Sequence, residues 1–346
     1  MIVKCNFVLI IKYEMKIAII CPFNNTLSID YSIKVINFLK SKGIKLYLHK
    51  DLMKSTLIKN IGKEFGEFDE LNEKVDFLIS IGGDGSMLKA VTIVKDTNIP
   101  ILGINTGRLG FLTSLGKESI ELGLNHLLKS EFKISKRCLL EVYSNKLEKG
   151  FFGFNYALNE VSVSRKNTAS LISISAELNG IPLATYWADG LIIATPTGST
   201  GYSLSSGGPV MTPESSSLVL TPIAAHNINI RPLIVNDNTI IKLSVTGRGY
   251  KHLISLDSRI LTVPLKTDIF IKKAGFSISK IEINKNFFIN TLREKLFWGL
   301  DKRNWTIFFQ KNSYNHWHLN LKNNTIFAYL TFNKVIHNIN DSKFVI

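Results

Sequence analysis

A run of small and hydroxyl-bearing residues between Thr195 and Gly208 has the side chains needed to hold a polyhydroxy ligand. The run contains three Thr, four Ser, one Tyr and four Gly. Glycines let the backbone turn tightly, and the hydroxyls supply closely spaced hydrogen-bond donors and acceptors. A Gly/Ser-rich linker is the alternative, but an apolar strand predicted at 191–194 enters the run and Tyr202 lies in its middle. The composition therefore predicts a loop that closes around a ligand rich in hydroxyl groups.

A second glycine cluster lies at residues 82–86 (GGDGS), directly after the apolar run 75–81 (VDFLISI). The run is typical of a strand buried on both faces, and a helical pattern follows the glycines. At such a junction, unpaired backbone N–H groups and the positive end of the helix dipole converge, which predicts a phosphate site. Asp84 opposes anion binding unless it holds a metal or accepts a proton from a hydroxyl group. Otherwise it serves as a helix N-cap or turn residue.

Five blocks of this sequence together resemble the NAD kinase family. The blocks are GGDG at 82–85, LGINTGRLGFL at 102–112, Asn159-Glu160, the pattern DG-x7-GST-x-Y at 189–202, and LREKLFWG at 292–299. GGDG alone is also found in lipid kinases and in the related phosphofructokinases, whereas the five blocks in this order are specific. The resemblance extends from about Met15 to Arg303.

Two regions of different pattern predict two domains. From residue 15 to 115, short apolar strands alternate with helical stretches, which predicts an α/β domain with a parallel sheet. From 116 to 275, short strands dominate and include a hairpin across Asn179-Gly180, which predicts an all-β, sandwich-like domain. The runs 268–272 and 280–283 are predicted as separate strands. The resemblance implies that the first domain is Rossmann-like, of the NAD kinase and diacylglycerol kinase type, and that the second binds NAD.

The two ends of the chain differ in character from these domains. Residues 1–14 precede the first convincing strand and are interpreted as an extension. Residues 276–303 carry the final amphipathic helix and, by the resemblance, return to the first domain. Residues 304–346 contain nine Asn and no Gly, Pro or Glu. We therefore expect an atypical, loosely packed tail, with an added hairpin around Asn323-Asn324.

The resemblance implies a specific reaction, the transfer of the γ-phosphoryl group of ATP to the 2′-hydroxyl of the adenosine ribose of NAD, which makes NADP. This transfer needs positioning, a divalent metal ion such as Mg²⁺ that accompanies ATP and neutralises charge, and a base for one hydroxyl. Asp84 matches the catalytic aspartate that takes or orients this proton, and the backbone N–H of Gly85 is available to the nucleotide. Asn159 and Glu160 match the pair that holds the ribose hydroxyls; the alternative is two polar residues at the start of a strand.

Within the hydroxyl-rich loop, the resemblance implies a pocket for adenine and ribose. Tyr202 can stack on the base, Gly201 lets the base approach closely, and Asp189 would accept a hydrogen bond from the adenine amino group. Lys89 could contact a phosphate, although an exposed helical lysine is an equally good interpretation. No protein ligand to a metal is assigned. The nucleotide-binding residues implied in this way are Asp84, Gly85, Lys89, Asn159, Glu160, Asp189, Thr197, Thr200, Gly201, Tyr202, Ser203 and Ser205.

The chain departs from the family pattern at two places. Gly201 stands where many members have Ala, which loosens the pocket. Asp257-Ser258-Arg259 replaces a commoner Asp-Gly-Gln or Asp-Gly-Arg, so these three residues receive no role in the predicted site.

The amino-acid composition indicates which partners and which cellular compartment to expect. The formal net charge is +15, but Lys and Asn are abundant throughout the chain, so the charge is interpreted as compositional drift plus attraction of polyanionic nucleotides, and no nucleic-acid partner is expected. Three scattered Cys fit a reducing cytoplasm. No apolar stretch approaches the roughly 18 to 20 residues of a membrane span. The resemblance implies a homo-oligomer, either a dimer or a tetramer.

Two other functions have to be distinguished from this one. A lipid or sphingoid kinase shares GGDG, but it needs an apolar acceptor cleft and lacks the Asn-Glu and GST-x-Y blocks. The other is a non-catalytic NAD-binding module, and its dehydrogenase form is disfavoured because no G-x-G-x-x-G follows an early strand. Formation of NADP from ATP and NAD separates the three functions.

Overall fold

The computed structural model comprises two compact units, residues 1–288 and 289–346. The part of the chain that it describes is 14–23, 25–62, 64–71, 75–107, 110–144, 153–166, 171–283 and 287–296, together with the backbone of 307–311, 317–321 and 324–325. The extension predicted at 1–14 lies outside the described residues apart from Glu14.

The first part of the chain forms the α/β fold that the sequence predicts. Its elements are β1 (Lys16–Ile20), α1 (Thr26–Ser41), β2 (Lys45–His49), α2 (Lys50–Met53), α3 (Thr56–Gly62), β3 (Gly66–Phe68), β4 (Phe77–Gly82), α4 (Asp84–Val94), β5 (Ile101–Asn105) and β6 (Leu115–Gly116). Strands β3, β2, β1, β4 and β5 lie side by side in this order and run parallel. Because parallel strands point the same way, the segments that follow β4 and β5 meet at one edge of the sheet, where ligands of open α/β sheets bind.

Helix α1 shows how the helices cover this sheet. Asn25 caps its first turn by accepting a hydrogen bond from the backbone N–H of Ser28, at 2.8 Å. One face of the helix is buried at the spacing of helical turns. The buried residues are Ser28, Ile29, Ser32, Val35, Ile36 and Leu39.

The second part of the chain forms the predicted sandwich. Its elements are α5 (Ile120–Leu128), β7 (Lys133–Tyr143), β8 (Tyr156–Ala157), β9 (Glu160–Arg165), β10 (Ile172–Leu178), β11 (Ile181–Ala188), β12 (Gly190–Ala194), α6 (Tyr202–Ser205), β13 (Ser217–Ile223), β14 (Leu233–Asn236), β15 (Ile241–Gly247), β16 (Lys251–Leu256), β17 (Arg259–Pro264) and β18 (Asp268–Glu282). One sheet has the order β14-β13-β12-β9-β16-β17, and the other contains β11-β10-β15-β18. Alternate residues of both sheets form one apolar core.

The hairpin predicted across Asn179-Gly180 is confirmed. Strands β10 and β11 pair antiparallel, with Leu178 opposite Ile181. Asn179 and Gly180 have φ angles of 51° and 81°, and a two-residue turn of this kind needs positive φ at both positions.

Strand β18 joins the two parts of the chain. The sequence predicts two strands here, and the structure has a single strand of 15 residues whose register shifts between Lys273 and Ser277. Its first half pairs with β15 of the sandwich, and Lys280 pairs with Ile101 of the parallel sheet. A continuous 12-stranded sheet results. This strand brings residues after 276 back to the first sheet, as the resemblance implies for this segment.

After β18, helix α7 runs from Phe287 to Leu296. In the second unit, β19 (Ile307–Lys311), β20 (Trp317–Leu321) and β21 (Asn324–Thr325) form an antiparallel sheet. The pairing of β20 with β21 agrees with the hairpin expected around Asn323-Asn324. None of the described helices is long and apolar enough to cross a membrane.

Candidate nucleotide-binding site

The turn between β4 and α4 places Asp84 at the carboxyl edge of the parallel sheet. Gly83 is the N-cap of α4 and Asp84 is its first residue. Gly82 has a φ of 142°, and a Cβ built there would lie 2.0 Å from Oγ of Ser86, so only glycine fits. The first backbone N–H groups of α4, with the exposed Gly85 among them, are therefore available at this edge to an anion.

The Asp84 carboxylate holds the segment that follows β5. It accepts hydrogen bonds from three successive backbone N–H groups, those of Phe111 at 2.9 Å, Leu112 at 3.1 Å and Thr113 at 3.3 Å. A Cβ built on Gly110 would lie 1.7 Å from Oδ1 of Asp84. Glycine is thus required at 110 for the backbone to come this close to the carboxylate.

A second set of hydrogen bonds fixes the same segment from inside. The amide of Asn105 donates to Oγ1 of Thr113 at 3.0 Å, and its carbonyl accepts from the backbone N–H of Gly107 at 2.7 Å. The backbone N–H of Gly110 donates to the same Thr113 hydroxyl at 3.3 Å. The LGINTGRLGFL block therefore forms a wall beside Asp84, and 108–109 lie outside the described residues.

The hydroxyl-rich loop lies directly on Asn159. The backbone N–H of Thr195 donates to the carbonyl of Asn159 at 2.9 Å, and the Thr195 hydroxyl donates to the carbonyl of Leu158 at 2.6 Å. A Cβ built on Gly198 would lie 2.0 Å from the Asn159 carbonyl oxygen, so this position admits only glycine. The Gly and Thr residues of the loop thus fix its position against the Asn159-Glu160 pair.

Asn159 and Glu160 present polar atoms that have no partner. Oδ1 of Asn159 and Oε2 of Glu160 are buried, and neither forms a hydrogen bond to any described residue. A Cβ on Gly201 would lie 3.1 Å from Oε2 of Glu160, so the glycine leaves the carboxyl group unobstructed. Burial and the negative charge of Asp257 raise the pKa of Glu160 to about 8, against a hydrogen bond from the Tyr202 backbone that lowers it. Buried unpaired acceptors are costly, which indicates a place for a ligand.

The turn between β16 and β17 positions this pair, although the sequence assigns it no role. The Asp257 carboxylate accepts hydrogen bonds from the backbone N–H groups of Leu158 at 3.0 Å, Asn159 at 2.8 Å and Glu160 at 3.2 Å. Arg259 donates to the backbone carbonyls of Phe154, at 2.5 Å, and Tyr156. The two charged side chains thus hold the segment 154–160 from one side. No sequence signal links them to it, because the contact spans about a hundred residues.

Several hydroxyls of the loop point inward and support it. The Ser199 hydroxyl accepts from the backbone N–H of Met211 at 2.9 Å, and Ser203 is fully buried with its hydroxyl 2.8 Å from that of Thr221. Thr197 is also buried, and its carbonyl accepts from the hydroxyl of Thr200 at 3.2 Å. Contact of Ser203 with a ligand would have to come from its backbone.

The exposed side of the loop carries Tyr202 and Ser205. The Tyr202 side chain is 46% exposed, and Ser205 is exposed as well. Tyr202 is therefore free to meet a flat ligand, which is the property that stacking requires.

Two predicted residues have their described contacts outside this cluster. Asp189 precedes β12 and forms an ion pair of 2.9 Å with Arg165, while Ala194 at the other end of β12 pairs with Glu160. Asp189 lies five residues along the strand from Ala194, a distance of about 16 Å. Lys89 is exposed on α4, and its charge acts on His49 and Asp51. No described hydrogen bond or ion pair joins either side chain to Asp84 or Glu160.

A shared apolar cluster connects the two halves of the site. Leu112, whose N–H binds Asp84, and Leu158, whose N–H binds Asp257, are buried in the same cluster with Met87 and Phe154. The segments that carry Asp84 and the Asn159-Glu160 pair therefore pack against the same apolar cluster. A carboxylate with a helix N-terminus and a pair of unpaired acceptors are thus attached to one apolar cluster, a suitable set for a phosphate and a hydroxyl group.

Known proteins share this pattern over most of the chain. The ATP-NAD kinase N-terminal domain matches residues 17–132, and the ATP-NAD kinase C-terminal domain matches residues 158–281. The NAD kinase of Christiangramia forsetii is 47% identical over 294 residues, which are 84% of this chain and 100% of that protein. The NAD kinase of Flavobacterium psychrophilum is 47% identical over 295 residues, with the same coverage.

Solved structures show the same architecture. An NAD kinase from Archaeoglobus fulgidus in complex with ATP superposes with a TM-score of 0.64 at 25% identity, over 82% of this chain and 99% of that one. Yeast NADH kinase complexed with NADH superposes with a TM-score of 0.75 at 22% identity, over 83% and 89% of the two chains, and this likeness concerns the fold alone. With matches to both domains and close relatives along its length, the chain belongs to the NAD kinase family of phosphotransferases.

Proposed function

We propose that this protein transfers the γ-phosphoryl group of ATP to the 2′-hydroxyl of the adenosine ribose of NAD and so makes NADP. The observation that carries the proposal is the pair of buried, unpaired acceptors on Asn159 and Glu160, which lies across one apolar cluster from the carboxylate of Asp84. Two adjacent acceptors suit two adjacent ribose hydroxyls. The names and bound nucleotides of the related proteins agree with this substrate pair.

In this reaction Asp84 takes or orients the proton of the 2′-hydroxyl. Oδ1 accepts from both Leu112 and Thr113, whereas Oδ2 accepts only from Phe111, so Oδ2 can accept a further hydrogen bond from the substrate. The backbone N–H of Gly85, at the start of α4, faces the same edge and would bind a phosphate oxygen. The turn therefore combines a proton acceptor with a site for phosphate.

The hydroxyl-rich loop binds the adenosine part of NAD. Tyr202 stacks on the adenine, Gly201 allows the ribose to reach Glu160, and Thr200 and Ser205 supply hydroxyls at the rim. Thr197 and Ser203 act mainly by holding the loop, as their burial indicates. This division explains why the loop contains more hydroxyls than a single adenosine can use.

A divalent metal ion bound with ATP would shield its phosphates. Among the described residues, no group of three His, Cys, Asp or Glu side chains is placed to hold a metal ion. As is usual for Mg²⁺, the phosphate oxygens of ATP would supply most of its ligands. Lys89 contacts a phosphate only if its long side chain turns toward the Asp84 turn.

The protein works as a homo-oligomer in the cytoplasm. Asp189 lies about 16 Å along β12 from the residue that pairs with Glu160. It can accept from an adenine amino group only in a pocket formed with a second copy of the chain. The two free Cys of the described residues agree with a reducing compartment.

The direct test is to incubate the purified chain with ATP, Mg²⁺ and NAD and to measure NADP. Parallel reactions with NADH and with a sphingoid base test the acceptor. NADP formation without lipid phosphorylation is the expected result. Lipid phosphorylation alone would favour the lipid kinase, and NAD binding without transfer would favour a non-catalytic module.

A further inference from the structure

Two buried carboxyl groups, those of Asp257 and Glu160, are neighbours beside the hydroxyl-rich loop. Asp257 accepts three backbone N–H groups, including the N–H of Glu160 itself, whereas Oε2 of Glu160 has no partner among the described residues. No described ion pair involves either carboxyl group. Arg259, the nearest cation on the same turn, directs its guanidinium to the carbonyls of Phe154 and Tyr156, and its charge acts on Asp257.

Two neighbouring buried carboxyl groups do not both ionise at neutral pH. Like charges in a medium of low dielectric repel strongly, so such a pair retains one proton. The proton resides on the group whose anion is less well solvated. Burial raises the pKa of Asp257 as well, but three N–H donors and the charge of Arg259 act against this, whereas only the Tyr202 backbone donates to Glu160. The anion of Asp257 is therefore the better solvated of the two.

We infer that Glu160 meets the acceptor ribose as a neutral carboxyl group that donates its proton in a hydrogen bond to a hydroxyl oxygen, and that anionic Asp257 is the positioning residue that keeps this proton on Glu160. The inference rests on the proposed function, because it takes the ribose of NAD as the ligand. A neutral carboxyl offers both a donor and an acceptor, and a pair of vicinal hydroxyls can bind to both.

Ionisation of Glu160 removes this donor and adds an anion to a pocket that binds a diphosphate ligand. The groups that act on Glu160 are Asp257 from the β16–β17 turn and the Tyr202 backbone N–H from α6, and they work in opposite directions. With a pKa of about 8, Glu160 is mostly neutral at pH 7 and mostly ionised one unit above its pKa. NAD affinity should therefore be constant below that pKa and fall above it.

The test compares NAD binding by the full chain and by Glu160→Gln, measured calorimetrically without ATP from about pH 6.5 to about pH 9.5. Gln has the same shape and always carries a donor. The wild-type Kd is expected to rise about tenfold between pH 7 and pH 9, while the Kd of the variant, which keeps its donor at every pH, shows no such rise. A wild-type Kd that is constant over this range, or a variant Kd that rises as much as that of the wild type, would overturn the inference.

A second measurement follows the proton without any ligand. Infrared difference spectra between about pH 7 and about pH 9.5 should show loss of the C=O stretch of a protonated carboxyl in the wild type, and no such change in Glu160→Gln. Glu177→Gln is the matched control, because Glu177 pairs with Lys242 at the surface and its removal should leave the signal unchanged. Absence of the signal in the wild type would contradict the inference whatever NAD does. Failure to bind NAD in a protein that shows the signal would contradict the proposed function and not the position of the proton.

Asp257→Asn tests the positioning role. Removing the neighbouring charge should move the pH at which the infrared signal and the NAD affinity are lost to a lower value. An unchanged transition would show that Asp257 does not hold the proton in place. If the variant does not fold, the comparison of the wild type with Glu160→Gln still decides the inference.

Discussion

The two halves of the site hold their carboxyl groups in opposite ways. Asp84 is half-buried, has three backbone N–H partners, and lies within electrostatic range of the buried ammonium of Lys280. Glu160 has a buried oxygen without a partner among the described residues, and the carboxyl group of Asp257 acts on it. The first environment ties its carboxyl group to the local backbone, whereas the second raises the pKa of its carboxyl group and leaves it open. Substitutions should therefore affect chemistry and loop structure in one half and ligand binding in the other.

The largest effect is expected for Asp84→Asn. The amide NH₂ would replace one carboxylate oxygen and face the N–H group or groups that this oxygen accepts from, and the proton acceptor would be lost. Turnover should fall between about a hundredfold and about ten-thousandfold. Hydrogen exchange at 110–113 should become faster at the same time. Near-normal turnover would remove Asp84 from the chemistry.

Gly110→Ala separates the structural part of this effect from the charge. Its Cβ would lie 1.7 Å from Oδ1 of Asp84, so the loop or the carboxylate must move while the charge stays. We expect turnover to fall about a hundredfold, because small displacements of catalytic groups are costly. Gly116→Ala is the control, since nothing lies within 4 Å of a Cβ there. Equal activity in both variants would show that the Asp84–loop contact is not needed.

Tyr202→Ala tests the binding half. Loss of a stacked ring should weaken NAD binding by about 1 to 3 kcal/mol, or between about fivefold and about 150-fold in Kd. Turnover at saturating NAD should change little, and Tyr202→Phe should bind as the wild type does. A loss of turnover without a loss of affinity would contradict the assignment of this loop to binding.

The smallest effect on activity is expected for Lys280→Met. Its effect should appear instead in how the free energy of unfolding depends on pH. Burial lowers the pKa of Lys280 from 10.5 to about 8, and the charge of Arg137 acts in the same direction. Between these two values the unfolded chain binds more protons than the folded protein, so the free energy of unfolding of the wild type should rise with pH.

The variant lacks this dependence. Relative to the wild type it should be more stable below about pH 8, by on the order of 3 kcal/mol, and should lose this advantage by about pH 10.5. Glu282 keeps its ion pair of 2.7 Å with Arg137 in the variant. The free energy of unfolding of both proteins is measured by denaturant titration at each pH. If it changes with pH in the same way in the two proteins, Lys280 is not buried in its charged form.

The sequence predicts those parts of the candidate site that are encoded locally. GGDG, the Asn159-Glu160 pair and the GST-x-Y loop each bring the residues proposed for one role within a few positions, and the alternation of strands and helices indicates the α/β fold. Asp257 could not be found in this way, because its partners lie 97 to 99 residues away. The pattern also shows which residues carry hydroxyls but not where they point, so Ser203 could not be distinguished from Ser205.

The sequence also does not show that β18 is one continuous strand. The runs at 268–272 and 280–283 are separated by a glycine-containing stretch of mixed polarity, and only pairing with β7 on both sides of a register shift makes them one strand. Asp189 is close in sequence to the hydroxyl-rich loop. The structure nevertheless places it at the opposite end of β12 from Ala194, the residue that pairs with Glu160.

The division of labour between the two halves is tested most directly by the NAD affinity of Asp84→Asn, measured calorimetrically without ATP beside Tyr202→Ala. If Asp84 serves chemistry and the Glu160 half serves binding, Asp84→Asn should bind NAD within a few fold of the wild type while Tyr202→Ala binds at least about fivefold more weakly. A loss of affinity in Asp84→Asn equal to that in Tyr202→Ala would contradict this division.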